Sequence, residues 1–193
     1  LANKDAIFNA DGNTQLTATN RVLGQISTFL GDYGISKNPE SLASDQYRMY
    51  FTDKQRGAVL RLSRDGLTPI SSVGMKSWFR NNLINRDNLV GSFDKINGEY
   101  NLTIKPAPSD APTVSFNEAS KGWVSFKSFD LDQGVSVSGN YFTTKLDKIY
   151  KHYDDSAGRN NFYDTQYNSY INIVFNSAPG QVKSFKAMNY EGS

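Results

Sequence analysis

From Tyr47 onward the apolar residues recur with a period close to two. Tyr47, Met49 and Phe51 fall on one face of a strand, and Ala58, Leu60 and Leu62 on one face of the next. Between them, Asp53-Lys54-Gln55-Arg56-Gly57 is a polar turn with glycine at the position that needs positive φ, so the pair predicts a hairpin. The same wording returns at Asp94-Lys95-Ile96-Asn97-Gly98, between strand-like residues 89–93 and 99–104. A second pair of phrases behaves alike. Phe116-Asn117-Glu118-Ala119 leads through Gly122 to Val124-Ser125-Phe126-Lys127, and Phe175-Asn176-Ser177-Ala178 leads through Gly180 to Val182-Lys183-Ser184-Phe185-Lys186. Further hairpins are predicted for 113–116 with 123–129, 141–144 with 148–153, and 168–175 with 181–189. Residues 134–139 read as a short strand, and 67–70 as an edge strand because of Pro69.

Two stretches change the period to that of a helix. Val22, Leu23, Ile26, Phe29 and Leu30 share one helical face, and so do Met75, Trp78, Phe79 and Leu83, the latter preceded by Ser71 and Ser72 as candidate caps. Pro106-Ala107-Pro108-Ser109-Asp110-Ala111-Pro112 is a stiff connector and the best candidate boundary. The expected layout is an N-terminal segment with a helix over 1–45, first hairpins plus a helix over 46–105, and a second hairpin group over 113–193, the hairpins forming one continuous β domain. The fold class is therefore mainly β, with repeated antiparallel hairpins in a β-propeller-like or partial-propeller arrangement and two short accessory helices. Recurrence near forty residues is the usual length of a propeller blade. The spacing is uneven, however: 41 residues separate Asp53 from Asp94 and 59 separate Phe116 from Phe175. The hairpin is the repeat unit; the blade is inferred from it.

Composition agrees with this architecture. Twelve Phe and eleven Tyr among 193 residues are a β-type apolar inventory, since flat rings suit a pleated, half-buried surface. A net charge of +2 spread over scattered Lys and Arg gives no field able to hold a polyphosphate, so no nucleic-acid partner is expected. The absence of Cys excludes disulfides, thiolate metal sites and a cysteine nucleophile. No apolar run reaches the length of a membrane span, so no membrane insertion is expected. Both ends, Leu1-Ala2-Asn3-Lys4 and Asn189-Tyr190-Glu191-Gly192-Ser193, read as cuts, which predicts a fragment or processed piece of a longer protein.

Candidate chemistry is sparse. His152 is the single histidine, and one imidazole without companions makes a poor transition-metal site; its strand spacing suits an ordinary strand residue better. Asp130-Leu131-Asp132-Gln133-Gly134 lacks the further ligands of a calcium loop and reads as a turn with solvated carboxylates. Asp53 and Asp94 could be a glycosidase-like carboxylate pair, but recurrence argues for turn support, with Asp53 and Asp94 accepting backbone N–H groups and Gly57 and Gly98 closing the turns. No phosphate loop and no nucleophile elbow appear. No enzyme activity, cofactor or metal is expected. The remaining feature is a Tyr- and Asn-rich cluster in which Tyr150, His152, Asn160, Tyr163 and Tyr167 form a candidate contact surface. Its chemistry suits either packing or a sugar ring.

As a set, Tyr50–Ser63 with Asp65-Gly66-Leu67-Thr68, Val182–Lys186 with Asn189–Ser193, Gly34–Ser41 and Arg159–Tyr163 resemble large virion structural proteins of tailed bacteriophages. The resemblance spans most of the chain. It implies a non-enzymatic virion component in the tail or tail nozzle, with other virion proteins and copies of itself as partners, and it brings no catalytic residues. The alternative expectation is a carbohydrate- or receptor-binding β module that meets a host surface glycan.

Overall fold

Period-two patterning and glycine turns fold most of this chain into antiparallel sheets. The computed structural model describes residues 31–109, 111–174, 178–187 and 189, and the backbone of 7–8 and 14–15. The helix predicted from Val22 to Leu30 lies outside them. The short strands β1 (Ile7–Phe8) and β2 (Thr14–Gln15) pair with each other.

Two four-stranded meanders form the body. The first runs β3 (Ala43–Ser44), β4 (Met49–Asp53), β5 (Ala58–Ser63) and β6 (Gly66–Pro69), in that spatial order. Pro69 lies in an edge strand, where its missing N–H costs no ladder bond. The second meander runs β7 (Asn88–Asp94), β8 (Glu99–Lys105), β9 (Thr113–Asn117) and β10 (Gly122–Lys127). The Pro106–Pro112 connector joins β8 to β9, which are paired neighbours in that sheet. A third sheet comprises β11 (Gln133–Val137), β12 (Asn140–Lys145) and β13 (Lys148–Lys151), and β14 (Asn161–Phe162) with β15 (Thr165–Gln166) makes a small hairpin. The chain is mainly β with antiparallel sheets. Among the described residues the sheets close into neither a barrel nor a ring of blades.

One α-helix is present among the described residues, α1 (Lys76–Leu83). Its buried face is Phe79 and Leu83, as the spacing predicts, but its serine cap is not. Ser72 Oγ instead donates to the Pro69 carbonyl 2.6 Å away, inside a 3-10 turn over Ile70–Ser72, and Met75 starts the helix without a side-chain cap. A second 3-10 turn spans Pro39–Ser41.

The middle sheet is buried on both faces, for different reasons. One face carries Leu89, Tyr100, Leu102, Ile104, Val114 and Phe116, which pack with Tyr50 and Val59 of the first sheet and Phe79 and Leu83 of α1. Here Tyr50 stacks between Tyr100 and Phe93, with ring centroids 5.0 and 5.5 Å away. On β4 the buried face is Tyr50 and Thr52; Met49 and Phe51 lie on the outer side, and Tyr47 precedes the strand and is exposed. The other face of the middle sheet is polar, with Ser92, Asn101, Thr103, Thr113 and Ser115 all buried. Burial there is tolerable because partners are supplied. Ser115 Oγ donates to Asn101 Oδ1 (2.6 Å), Thr113 Oγ1 donates to the Phe129 carbonyl (2.6 Å), and the Tyr141 hydroxyl meets Ser92 Oγ (2.7 Å) and Asn101 Nδ2 (3.3 Å).

Among the described residues the last predicted hairpin does not form. Residues 168–174 and 181–187 run as irregular chain and join no sheet. Their apolar side chains lie in the open: Tyr170 and Ile171 are each 78% exposed, Val174 85% and Val182 fully. A period-two pattern specifies which face a strand would bury, not that a partner is at hand.

Candidate contact surface

The two Asp-Lys-x-x-Gly turns occupy equivalent places, closing β4–β5 and β7–β8. Gly57 and Gly98 have φ of +61° and +65°, the left-handed region that glycine enters without steric cost. Asp53 Oδ1 accepts the Arg56 N–H (3.1 Å) and Asp94 Oδ1 accepts the Ile96 N–H (2.9 Å). Each aspartate is fully buried and also holds a distant segment to its turn. Asp53 accepts the Gly34 N–H (3.1 Å) and the Ser36 hydroxyl (2.9 Å), while Asp94 accepts the Tyr153 hydroxyl (2.5 Å). Burial alone would raise the Asp53 carboxyl, but the bonds from Gly34, Ser36 and Arg56 outweigh it and hold the group below the usual carboxylate range.

Other carboxylates have partners of their own. Glu118 accepts Tyr50 Oη (2.7 Å) and pairs with Arg61 (3.1 Å) and Arg48 (3.4 Å), and Glu99 pairs with Lys127 (2.5 Å). Asp130 and Asp132 are bridged by Lys105, and Asp130 is also bound by Lys145 (2.5 Å). Burial would raise the Asp132 carboxyl, but Lys105 and the Leu146 N–H lower it overall. Among the described residues no group of three or more His, Cys, Asp or Glu side chains could hold a metal ion, and no helix is long and apolar enough to cross a membrane.

The Tyr150–Tyr167 cluster comes together behind the third sheet. Cross-strand register puts Thr143 opposite Tyr150, and Tyr141 shares that face with Thr143. Tyr150 meets Tyr163 edge-on with centroids 4.8 Å apart, and Tyr163 Oη lies 2.9 Å from Thr143 Oγ1. Asn160, with φ of +57°, starts the β14–β15 hairpin and accepts the Tyr167 N–H through its backbone carbonyl (2.9 Å). Tyr150, Tyr163 and Tyr167 line an open groove of about 400 Å³ with Asp130, Lys145 and Asp164. His152 is different. It is 8% exposed, so it belongs to the interior and not to the contact surface. Its Nε2 lies 2.7 Å from Thr143 Oγ1, and its ring packs between Phe129 and Tyr141 at 5.1 and 5.0 Å.

Asp94→Asn is expected to lower stability by about 1–2 kcal/mol, because one carboxylate oxygen that accepts both Tyr153 Oη and Asn97 Nδ2 would be replaced or its charge lost. Urea denaturation of the variant measures it, and loosening of the 153–160 loop should accompany it in hydrogen exchange.

Nothing in this geometry names a reaction; it describes a protein tied together from segment to segment. Comparison with known proteins supplies the family. A profile described as Crassvirus muzzle protein matches residues 4–147, well over half of the chain. The chain belongs to the crassvirus muzzle protein family. A second profile, Crassvirus muzzle protein C-terminal domain, matches residues 158–193. No curated protein matches the chain. Muzzle family membership makes this a bacteriophage virion structural component and places it in the virion, where other virion proteins are its partners. The two matched regions divide the contact cluster: Tyr150 and His152 lie between them, while Asn160, Tyr163 and Tyr167 fall in the C-terminal match. The clamps made by Asp53 and Asp94 on distant segments had no signal in the sequence, because hydrogen bonds from Gly34, Ser36 and Tyr153 follow no spacing rule.

Proposed function

We propose that this chain is a non-enzymatic wall element of the phage tail, at the nozzle end, built to hold neighbouring subunits. The observation that carries this reading is the exposed apolar ribbon of residues 168–174 and 178–187, which falls within the C-terminal-domain match. Tyr170, Ile171, Ile173, Val174 and Val182 in water are costly unless another chain covers them. The two four-stranded meanders suit the same role as blades of a partial propeller, whose remaining blades come from flanking sequence or from neighbours. A map of the intact particle tests the reading. Density for this chain in a tail ring, with residues 168–187 against another subunit, is the expected result; absence of the chain from purified particles would overturn it.

A second reading, host-glycan binding, is favoured by the groove of Tyr150, Tyr163 and Tyr167 beside Asp130 and Asp164, because ring faces beside carboxylates match a sugar. Glycan-array binding that disappears in Tyr163→Ala, with the fold intact, would support it. A blank array would remove it.

A further inference from the structure

The polar face of the middle sheet brings a lysine amine, a carboxylate and a side-chain amide into one hydrogen-bonded group. Glu99 and Asn101 lie two residues apart on β8 and so share a face. Register places Asn101 opposite Ser115 of β9, and Lys127 ends β10 on the far side of that strand. From there Lys127 Nζ reaches back to Glu99 Oε2 at 2.5 Å and to Asn101 Oδ1 at 3.3 Å. Lys105 and Lys145 also meet carboxylates at 2.5 Å, yet among the described residues neither meets a side-chain amide as well.

The amide is held on every side. Asn101 is fully buried, Ser115 Oγ donates to its Oδ1 at 2.6 Å, and its Nδ2 donates to the Tyr141 hydroxyl at 3.3 Å. The Lys127 and Glu99 side chains are only 17% and 13% exposed, and the Phe129 ring centre lies 5.8 Å from Nζ. A lysine against a carbonyl oxygen is ordinarily a hydrogen bond and nothing more. Here three further conditions are met together. The amide carbon is one C=O bond, about 1.2 Å, beyond the oxygen that Nζ already touches. A proton acceptor lies against the amine, and a fixed hydroxyl holds the oxygen on which negative charge would develop. Nucleophile, base and oxyanion donor in one enclosed place are the parts of an acyl transfer.

We infer that Lys127 and Asn101 join through an amide cross-link, with Glu99 as the proton carrier. Lys127 passes one ammonium proton to Glu99. The free amine attacks Cγ of Asn101, forming the N–C bond while the carbonyl electron pair moves onto Oδ1 beneath the Ser115 hydroxyl. Glu99 hands its proton to Nδ2 and takes another from the former Lys127 nitrogen. The Cγ–Nδ2 bond then breaks, the C=O bond re-forms, and ammonia leaves, taking the last proton from Glu99. Atoms and charge balance without a co-reactant: an ammonium side chain and a primary amide become a secondary amide and an ammonium ion. The fold replaces the collision that an untethered amine and amide would need. The new bond ties β8 to β10 across β9. It concerns this chain alone and does not rest on the assembly role proposed above.

Intact-mass spectrometry of the purified, folded whole chain tests the inference. The parent is expected about 17 Da below its sequence mass, the mass of one ammonia, with a branched tryptic peptide joining Asn101 to Lys127. Lys127→Arg keeps a cation beside Glu99 but removes the nucleophile, and Glu99→Ala removes the proton carrier. Both variants should show their full sequence mass. Near-ultraviolet circular dichroism establishes that each one folds. Full sequence mass in the folded parent would overturn the inference. A loss of about 18 Da would do the same, since that is water and marks a Lys127–Glu99 amide instead. An ammonia loss that persists in Lys127→Arg also overturns it, because ring closure at Asn97-Gly98 releases ammonia without any lysine. A cross-link that forms in folded Glu99→Ala would remove Glu99 from the reaction.

Discussion

Gly91→Ala is expected to destabilise the protein by about 3 kcal/mol, lowering the thermal midpoint by roughly 6–12 °C for a chain of this size. Gly91 lies in β7 where the Pro39–Ser41 turn crosses the strand. A methyl group there would sit 2.0 Å from the Ser41 carbonyl oxygen, 2.6 Å from its carbon and 3.0 Å from the Tyr100 ring. Those atoms are not free to retreat. The Ser41 carbonyl accepts Tyr100 Oη (2.8 Å), its Oγ accepts the Thr52 N–H (3.0 Å), and the same hydroxyl donates to the Asn38 carbonyl (2.8 Å). Relief of the clash must break this buried set or push β7 away from the first sheet, which would also open the Tyr50–Phe93 stack. Gly122→Ala is the control, because its new methyl would find nothing nearer than the Ser120 carbonyl at 3.7 Å. Chemical denaturation of the two variants should separate them clearly. A Gly91→Ala protein as stable as the parent would mean that the turn does not cross β7 in this way.

That crossing also marks where the sequence stops being informative. The hairpins closed by Asp53–Gly57 and Asp94–Gly98, and the hairpins β9–β10 and β12–β13, were legible because alternation and turn chemistry are local. The α1 face was legible for the same reason. Packing between sheets was not. Ser92, Asn101, Thr103, Thr113 and Ser115 alternate as a solvent face would, yet they are buried because Tyr141 meets Ser92 and Asn101, the Phe129 carbonyl accepts from Thr113, and Thr103 and Ser115 pair with Thr113 and Asn101 across the sheet. Conversely, 168–174 alternates as a buried strand would and is exposed, since nothing among the described residues pairs with it. Tyr150, Tyr163 and Tyr167 converge on one groove as a cluster read from the sequence would suggest.

Acid should destabilise this protein well above the range where its carboxylates titrate. His152 carries the effect. Burial pushes its imidazole down to about 4 from the ordinary 6.5; Asp94 opposes the shift and Lys127 adds to it. A histidine whose folded pKa is depressed binds its proton more readily when the chain is unfolded. Its contribution is therefore complete above about pH 6.5 and is lost as pH falls from there toward 4. The full loss corresponds to about 3 kcal/mol, of which about 2 kcal/mol should be gone by about pH 5. The Asp53 and Asp132 carboxyls, held below their ordinary value, keep their contributions until the pH falls through the carboxylate range. The two windows are thus separable. Urea midpoints at about pH 7.5 and about pH 5 should differ in the parent and much less in His152→Gln, which carries no titrating group at that position. The variant will be weaker at neutral pH, since the rings of Phe129, Tyr141 and Phe162 lose a packed neighbour. What decides the matter is the slope with pH, not the starting stability. An equal slope in parent and variant would assign the acid sensitivity to another group and show that His152 is free to protonate in the folded protein.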